Sequence, residues 1–222
     1  MQNTLGIFED RKEEINFYYS IMIEIESAEG RIQTIDNNRL IKIMKSNLLL
    51  MLYNLVEACV VSGMMEIYED LKNDGCSYNS VIGEIQNLWA KYQINEIYGP
   101  TTERSAYESR VQRIIQNITS GSPIMLSRDA LGISGNLNAK KIKEICDRHR
   151  IRYRLATRGE SLERVKLERN NLAHGDVSFS DCARNLSLGD LETIKDEVFL
   201  FIDGILNGMP ALVYRAGTFC CQ

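Results

Sequence analysis

Apolar positions recur at helical spacing along most of this chain. From Leu5 to about Ala28 they fall at Ile7, Phe8, Ile15, Tyr18, Tyr19, Met22 and Ile25, which predicts an amphipathic helix with Gly30 marking its end. A second, longer helix is predicted from about Asn38 to Leu71. Its central turns, Leu48 to Val61, are apolar nearly all round, so neighbours must cover it on most sides. Tyr53, Asn54 and Glu57 interrupt that run, which is too short to span a bilayer and reads as a core helix. Asp74-Gly75 closes it. A third helix, about Tyr78 to Ile97, carries Val81, Ile85, Leu88, Trp89 and Tyr92 on one side, and Gly99-Pro100 stops it.

Residues 101 to 160 follow a different pattern. A helix around Glu103 to Ile118 gives way to the turn-rich Ser120-Gly121-Ser122-Pro123. Ile133 to Asn138 forms a turn into a helix from Ala139 to about His149. Ile151 to Leu155 alternates apolar and basic residues, the pattern of a short edge strand. This block, about 99–160, reads as an insertion ahead of a final helix pair. The pair begins with a helix over Ser161 to His174, capped by Gly175. After a loop from Asp176 to Leu186, Ser187-Leu188-Gly189-Asp190 has the form of a capping box. It opens a last helix through Ile194, Val198, Phe201, Ile202 and Ile205, ended by Gly208 and Pro210. The expectation is an all-α fold, one domain over residues 1–210 whose inserted segment holds one candidate β element, with a short tail over 211–222.

Composition changes this picture in two respects. The net charge of -4 hides an uneven distribution. Met1 to Gly30 holds seven acids against two bases, whereas Lys140 to Arg169 holds eleven bases against five acids, so a nucleic-acid partner is not excluded. The six cysteines (Cys59, Cys76, Cys146, Cys182, Cys220 and Cys221) form no C-x-x-C pair. The start, MQNTLGIFEDRKEE, lacks the layout of a secretory signal. A cytoplasmic protein with reduced, mostly buried thiols is therefore expected, with no membrane partner. With two histidines and no ligand-like spacing, no metal and no cofactor are called for.

The helix before Gly175 carries the candidate chemistry. Its apolar stripe runs through Leu162, Val165 and Leu172, and Arg169 falls within that seam. A guanidinium there must find an acid, a polar cleft or a symmetric interface. Asn170 and His174 lie four residues apart on another face, within reach of the arginine's long arm. A cation, an amide and an imidazole so placed suit phosphodiester cleavage. Histidine exchanges protons near neutral pH, and arginine stabilises the added charge of the transition state. The plainer reading makes His174 a helix C-terminal cation and Arg169 an ion-pair partner.

Two further polar sets stand out. Asn47, Asn54 and Glu57 share one face of the apolar second helix. They either wall the cleft and orient His174, or serve structure, with Glu57 neutralising Arg169 and Asn54 bonding to backbone. Lys140, Lys141, Lys143, Arg148, Arg150, Arg152, Arg154 and Arg158 form a basic stretch interleaved with Tyr153. It is either an RNA-holding surface, with Lys140, Lys141, Arg148, Arg150, Arg152 and Arg154 as its leading members, or a solvated face offsetting the acidic first helix. His149 is assigned to that surface.

The segment Leu167-Glu168-Arg169-Asn170-Asn171-Leu172-Ala173-His174-Gly175 resembles the signature of the HEPN superfamily: an arginine, a polar residue, then a histidine four to six residues after the arginine. The resemblance extends to bacterial HEPN-like nucleases of toxin and defence loci. It is carried by Phe8-Glu9-Asp10-Arg11, Glu14-Ile15, Lys45 to Glu57 (KSNLLLMLYNLVE), Ser134-Gly135-Asn136-Leu137, Ser178-Phe179 and Asp190-Leu191, and spans most of residues 5 to 206. It implies a helical bundle that dimerises so that two signature helices face across a cleft. It also implies metal-independent RNA cleavage through a 2′,3′-cyclic phosphate, with Arg169 and His174 catalytic and Asn170 supporting. The expected partners are an RNA substrate, a second copy of the chain, and a cognate antitoxin or sensor protein. The alternative is a non-catalytic helical dimer that binds RNA or a partner protein.

Overall fold

Helix α2 (Asn37–Asn73) is the axis of the structure, and at about 1.5 Å rise per residue it runs roughly 55 Å. Asp36 starts it by accepting a hydrogen bond from the Arg39 N–H at 3.0 Å, and Asp74 ends it. Leu48, Leu49, Leu52, Leu55, Val56, Cys59 and Val60 are all buried, so the helix is enclosed on several sides, as its all-round apolar pattern demands. By length and composition alone α2 contains a stretch apolar enough to cross a membrane, longer than the Leu48–Val61 run suggests; 56% of it is buried by the rest of the fold.

The computed structural model describes residues 1–27, 36–95, 104–133, 135–211 and 214–216. Against α2 pack α1 (Gln2–Ser27), α6 (Ser161–His174), the one-turn α7 (Phe179–Cys182) and α8 (Leu188–Leu206). The capping box read at Ser187 and Asp190 is formed, with both reciprocal bonds present. A second group, α3 (Gly83–Asn95), the 3₁₀ turn Arg128–Leu131 and α5 (Ala139–Arg148), packs together beside this bundle, and α4 (Arg104–Thr119) contacts the 3₁₀ turn Tyr78–Ser80. The predicted stops at Gly30 and Gly99-Pro100 lie outside the described residues, as do Cys220 and Cys221. Cys59, Cys76 and Cys146 are buried free thiols, and Cys182 is half-buried.

Three elements depart from the pattern-based reading. The third helix begins at Gly83, because residues 80–82 bond instead to the tail: Ile82 N–H donates to Tyr214 O at 2.9 Å and Ala216 N–H to Ser80 O at 2.8 Å. The predicted loop 176–186 contains α7.

Ile151 to Leu155 forms no strand. The bridges outside named strands are Ser77–Pro123 and Val81–Arg215, and no ladder occurs among the described residues. The alternation survives for a different reason. Ile151 is buried, Tyr153 and Leu155 are half-buried and Arg152 and Arg154 are exposed, because the segment lies on a helix. A Cβ built on Gly204 would sit 2.5 Å from the Arg154 carbonyl oxygen, and one on Gly208 2.0 Å from that of Arg152. Glycine at both positions lets the backbone approach the end of α8 this closely.

Candidate active site

Helix α6 is anchored at both ends. At its start the Glu197 carboxylate of α8 accepts the N–H groups of Gly159, Glu160 and Ser161 at 3.0 to 3.1 Å, together with the Thr157 and Ser161 hydroxyls. Burial disfavours charge on Glu197, but these donors outweigh it and hold the carboxyl below its usual range. At its end Gly175 adopts the left-handed conformation with φ 77°. The Gly175 and Asp176 N–H groups bond to the Leu172 and Asn171 carbonyls, so backbone groups close this end of the helix, with His174 in its last turn.

Between these anchors Leu162 and Val165 are buried, and Arg169 follows them half-buried. Its guanidinium lies 4.7 Å from the centre of the Tyr53 ring of α2. Nη1 donates to the Gly135 carbonyl at 3.2 Å and to Asn170 Oδ1 at 3.0 Å. An aromatic face, a carbonyl and an amide are all neutral, and no carboxylate pairs with Arg169 among the described residues. Its positive charge is therefore held in place without being cancelled.

Residues 135–138 make the other wall. Asn170 Nδ2 donates to Asn136 Oδ1 at 2.7 Å, and the Leu137 N–H donates to the Tyr53 hydroxyl at 3.2 Å. Burial raises the Tyr53 pKa, so the phenol stays protonated and neutral beneath the cation. Gly135 takes φ 73°, and a Cβ there would lie 3.4 Å from both terminal nitrogens of Arg169. Asn138 then starts α5 by accepting the Lys141 N–H at 2.8 Å. A segment from the predicted insertion thus clasps the arginine.

His174 is exposed one turn beyond Asn170 and on the same face of α6. It makes no hydrogen bond or ion pair among the described residues. Arg169 lies five residues earlier, about 7.5 Å along the helix axis. Its bond to Asn170 draws the guanidinium toward the histidine's face.

The polar stripe of α2 does not join this group. Glu57 pairs with Arg128 at 2.9 Å, which replaces the expected pairing with Arg169. Asn47 faces Tyr18 of α1, and Asn54 is exposed with its carbonyl accepting from Arg11 of α1 at 3.0 Å. The cause is rotational: α2 turns Tyr53, not Asn54, toward α6. The sequence pattern does not assign Tyr53, Gly135 or Asn136 to the site. The available signal was a tyrosine inside an apolar run, whose buried hydroxyl needs a partner.

The basic stretch is divided among four places. Lys141 lines a cavity of about 200 Å³ with Gly132, Ile133, Asn136 and Leu137, beside Asn170. Lys140, Lys143 and Arg158 share a hollow with Glu144, Asp147, Glu160 and Glu163, so their charge is balanced locally. Arg148 and Arg150 lie against α3, where Arg150 faces Glu84 at 3.8 Å. Arg152 and Arg154 are exposed over the end of α8. They therefore lie beyond the start of α6, whereas His174 is at its other end, about 20 Å along the axis. His149 belongs to no surface. It is fully buried, with Nδ1 donating to the Ile145 carbonyl at 2.6 Å and Nε2 accepting from the Tyr68 hydroxyl at 2.7 Å. Burial, aided by the nearby Arg148 charge, lowers its pKa to about 4.

The model of one protein family, described as HEPN_MAE_28990-like HEPN, matches residues 3–213. No curated protein and no solved structure gave a significant match.

Proposed function

The chain belongs to the HEPN_MAE_28990-like HEPN family, which points to nuclease-like or RNA-related work, and from that premise we propose that it is a metal-independent endoribonuclease. In this reading His174 takes the proton of a ribose 2′-hydroxyl as its oxygen attacks the adjacent phosphorus. The 2′-O–P bond forms, the P–O5′ bond breaks, and the departing 5′-oxygen receives a proton from the second copy's His174. The products are a 2′,3′-cyclic phosphate and a free 5′-hydroxyl. Arg169 bears the charge that develops on the phosphoryl oxygens, and Asn170 holds the guanidinium toward the reacting face. Two copies of α6 facing one another would complete the site in a homodimer. The biological role that fits is that of a cytoplasmic toxin or phage-defence effector, held in check by a cognate antitoxin or triggered by a sensor protein.

One observation carries the reading. A half-buried guanidinium, oriented by three neutral partners and matched by no carboxylate among the described residues, stands on the same helix as an exposed imidazole. A purely structural arginine would be expected to have an acid beside it. The test is incubation of purified protein with single-stranded RNA in EDTA, followed by end-group analysis. Wild type should yield cyclic phosphate ends, His174→Ala and Arg169→Ala should not, and a substrate with 2′-deoxyribose at the cleaved positions should survive. Equal cutting by wild type and His174→Ala would end the proposal.

A further inference from the structure

Gly132 lines two cavities. One is the small hollow with Asn136 and Lys141 beside Asn170. The other, of about 560 Å³, lies between α3, the 3₁₀ turn Arg128–Leu131 and α5. Nothing in the chemistry assigned to Arg169 and His174 uses this larger cavity, although its size falls in the range of small-ligand sites.

Its walls have a definite chemistry. Leu88 and Ala130, both buried, make an apolar floor. Tyr92 adds a half-buried aromatic ring, and its hydroxyl is fixed by a 3.1 Å hydrogen bond from Ser127, the residue that starts the 3₁₀ turn. Two cations stand over these surfaces. Lys91 is exposed and has no bonding partner among the described residues. Arg148 spends one nitrogen on the Leu131 carbonyl at 3.0 Å and Nε on the Glu144 carbonyl at 3.3 Å, which aims the guanidinium while leaving donors free. Asn87 offers an amide and Asp129 a carboxylate at the rim, and the second acid of the lining, Glu84, faces Arg150 at 3.8 Å.

The geometry points to a subsite for one unpaired nucleotide of the RNA substrate. A flat ring in a partly apolar slot stacks a base without regard to its identity. The rim amide and carboxylate suit the donors and acceptors of a base edge, and Lys91 with Arg148 suits the phosphate that accompanies it. The subsite is tied to the candidate active site by chain length alone. Asn136 lies four positions after Gly132, a span of at most about 14 Å, and Asn136 is bonded to Asn170. A strand whose base occupies this cavity can therefore pass Lys141 and reach the face carrying Asn170 and His174. The inference rests on the nuclease reading and adds where the strand is held.

The test uses the full chain, with an RNA 12-mer as substrate for cleavage and, in a His174→Ala background, as ligand for fluorescence anisotropy. Lys91→Glu, a surface change that spares the core, is expected to raise both the dissociation constant and KM about tenfold while leaving kcat within about twofold. It should also flatten the salt dependence of binding. Tyr92→Ala is expected to weaken binding about tenfold, whereas Tyr92→Phe, which keeps the ring, should bind like wild type. Wild-type cleavage and binding in both Lys91→Glu and Tyr92→Ala would overturn the subsite and leave the nuclease reading standing. A wild-type protein that neither binds nor cuts RNA would overturn both.

Discussion

The Arg169 guanidinium rests 4.7 Å from the centre of the Tyr53 ring, and the hydroxyl of the same tyrosine holds the Leu137 N–H of the loop that covers the arginine. One side chain of the central helix therefore positions both the cation and the wall opposite it. Tyr53→Phe should keep the ring under Arg169 but leave the Leu137 N–H without its partner, at a cost of about 1 kcal/mol. Thermal melts should show a fall of a few degrees, with RNA cleavage largely retained. Tyr53→Leu removes the ring as well, and its cleavage rate should drop far more than its stability. Equal activity in the two variants would show that the ring does not matter.

Gly135→Ala should separate site geometry from fold. The left-handed backbone at this position disfavours any side chain by roughly 1–2 kcal/mol. The new methyl group would also press on both terminal nitrogens of Arg169. Cleavage is expected to fall by about tenfold or more, against a modest loss in melting temperature. The readouts are circular dichroism melts alongside single-turnover cleavage.

Acid should weaken the fold through His149. Its folded pKa, about 4, lies below the ordinary histidine value of 6.5, so folding favours the neutral imidazole. Stability from this group is complete above about pH 6.5 and is lost as the pH falls toward 4. The full loss is about 3 kcal/mol at 1.36 kcal/mol per unit. Glu197, a carboxyl held below its usual range, adds a further loss at still lower pH, as protonation removes the acceptor that starts α6. Urea titrations at pH 7, 5.5 and 4.5 should show declining stability in wild type and a shallower decline over pH 7 to 5.5 in His149→Gln.

The end of α8 offers a steric test. Gly204→Ala and Gly208→Ala each force a methyl group into the carbonyl oxygens of Arg154 or Arg152, and should cost several kcal/mol or prevent folding. Gly6→Ala in α1 meets nothing within 4 Å and should instead stabilise by up to about 1 kcal/mol. Chemical denaturation of the three variants checks the contrast.

What the amino-acid sequence determines by itself is local. The helices, the capping box at Ser187, the Gly175 cap and the seam position of Arg169 all follow from spacing and backbone preference within a few residues, and these are properties a linear chain carries. The identity of Arg169's partners did not follow. Glu57 was the nearest acid by pattern, but the rotation of α2 about its own axis gave Glu57 to Arg128 and turned Tyr53 toward α6. Ile151 to Leu155 had the alternation of a strand, yet Gly204 of α8 and Gly208 just beyond it offered a surface close enough to take its backbone. His149 stood among basic residues, and the packing of α5 buried it against Tyr68. In each case the deciding partner is distant along the chain: 53 meets 169, 154 meets 204, and 68 meets 149. Such pairings depend on how whole helices are turned against one another, which is decided by the sum of all their contacts and by no single stretch of sequence.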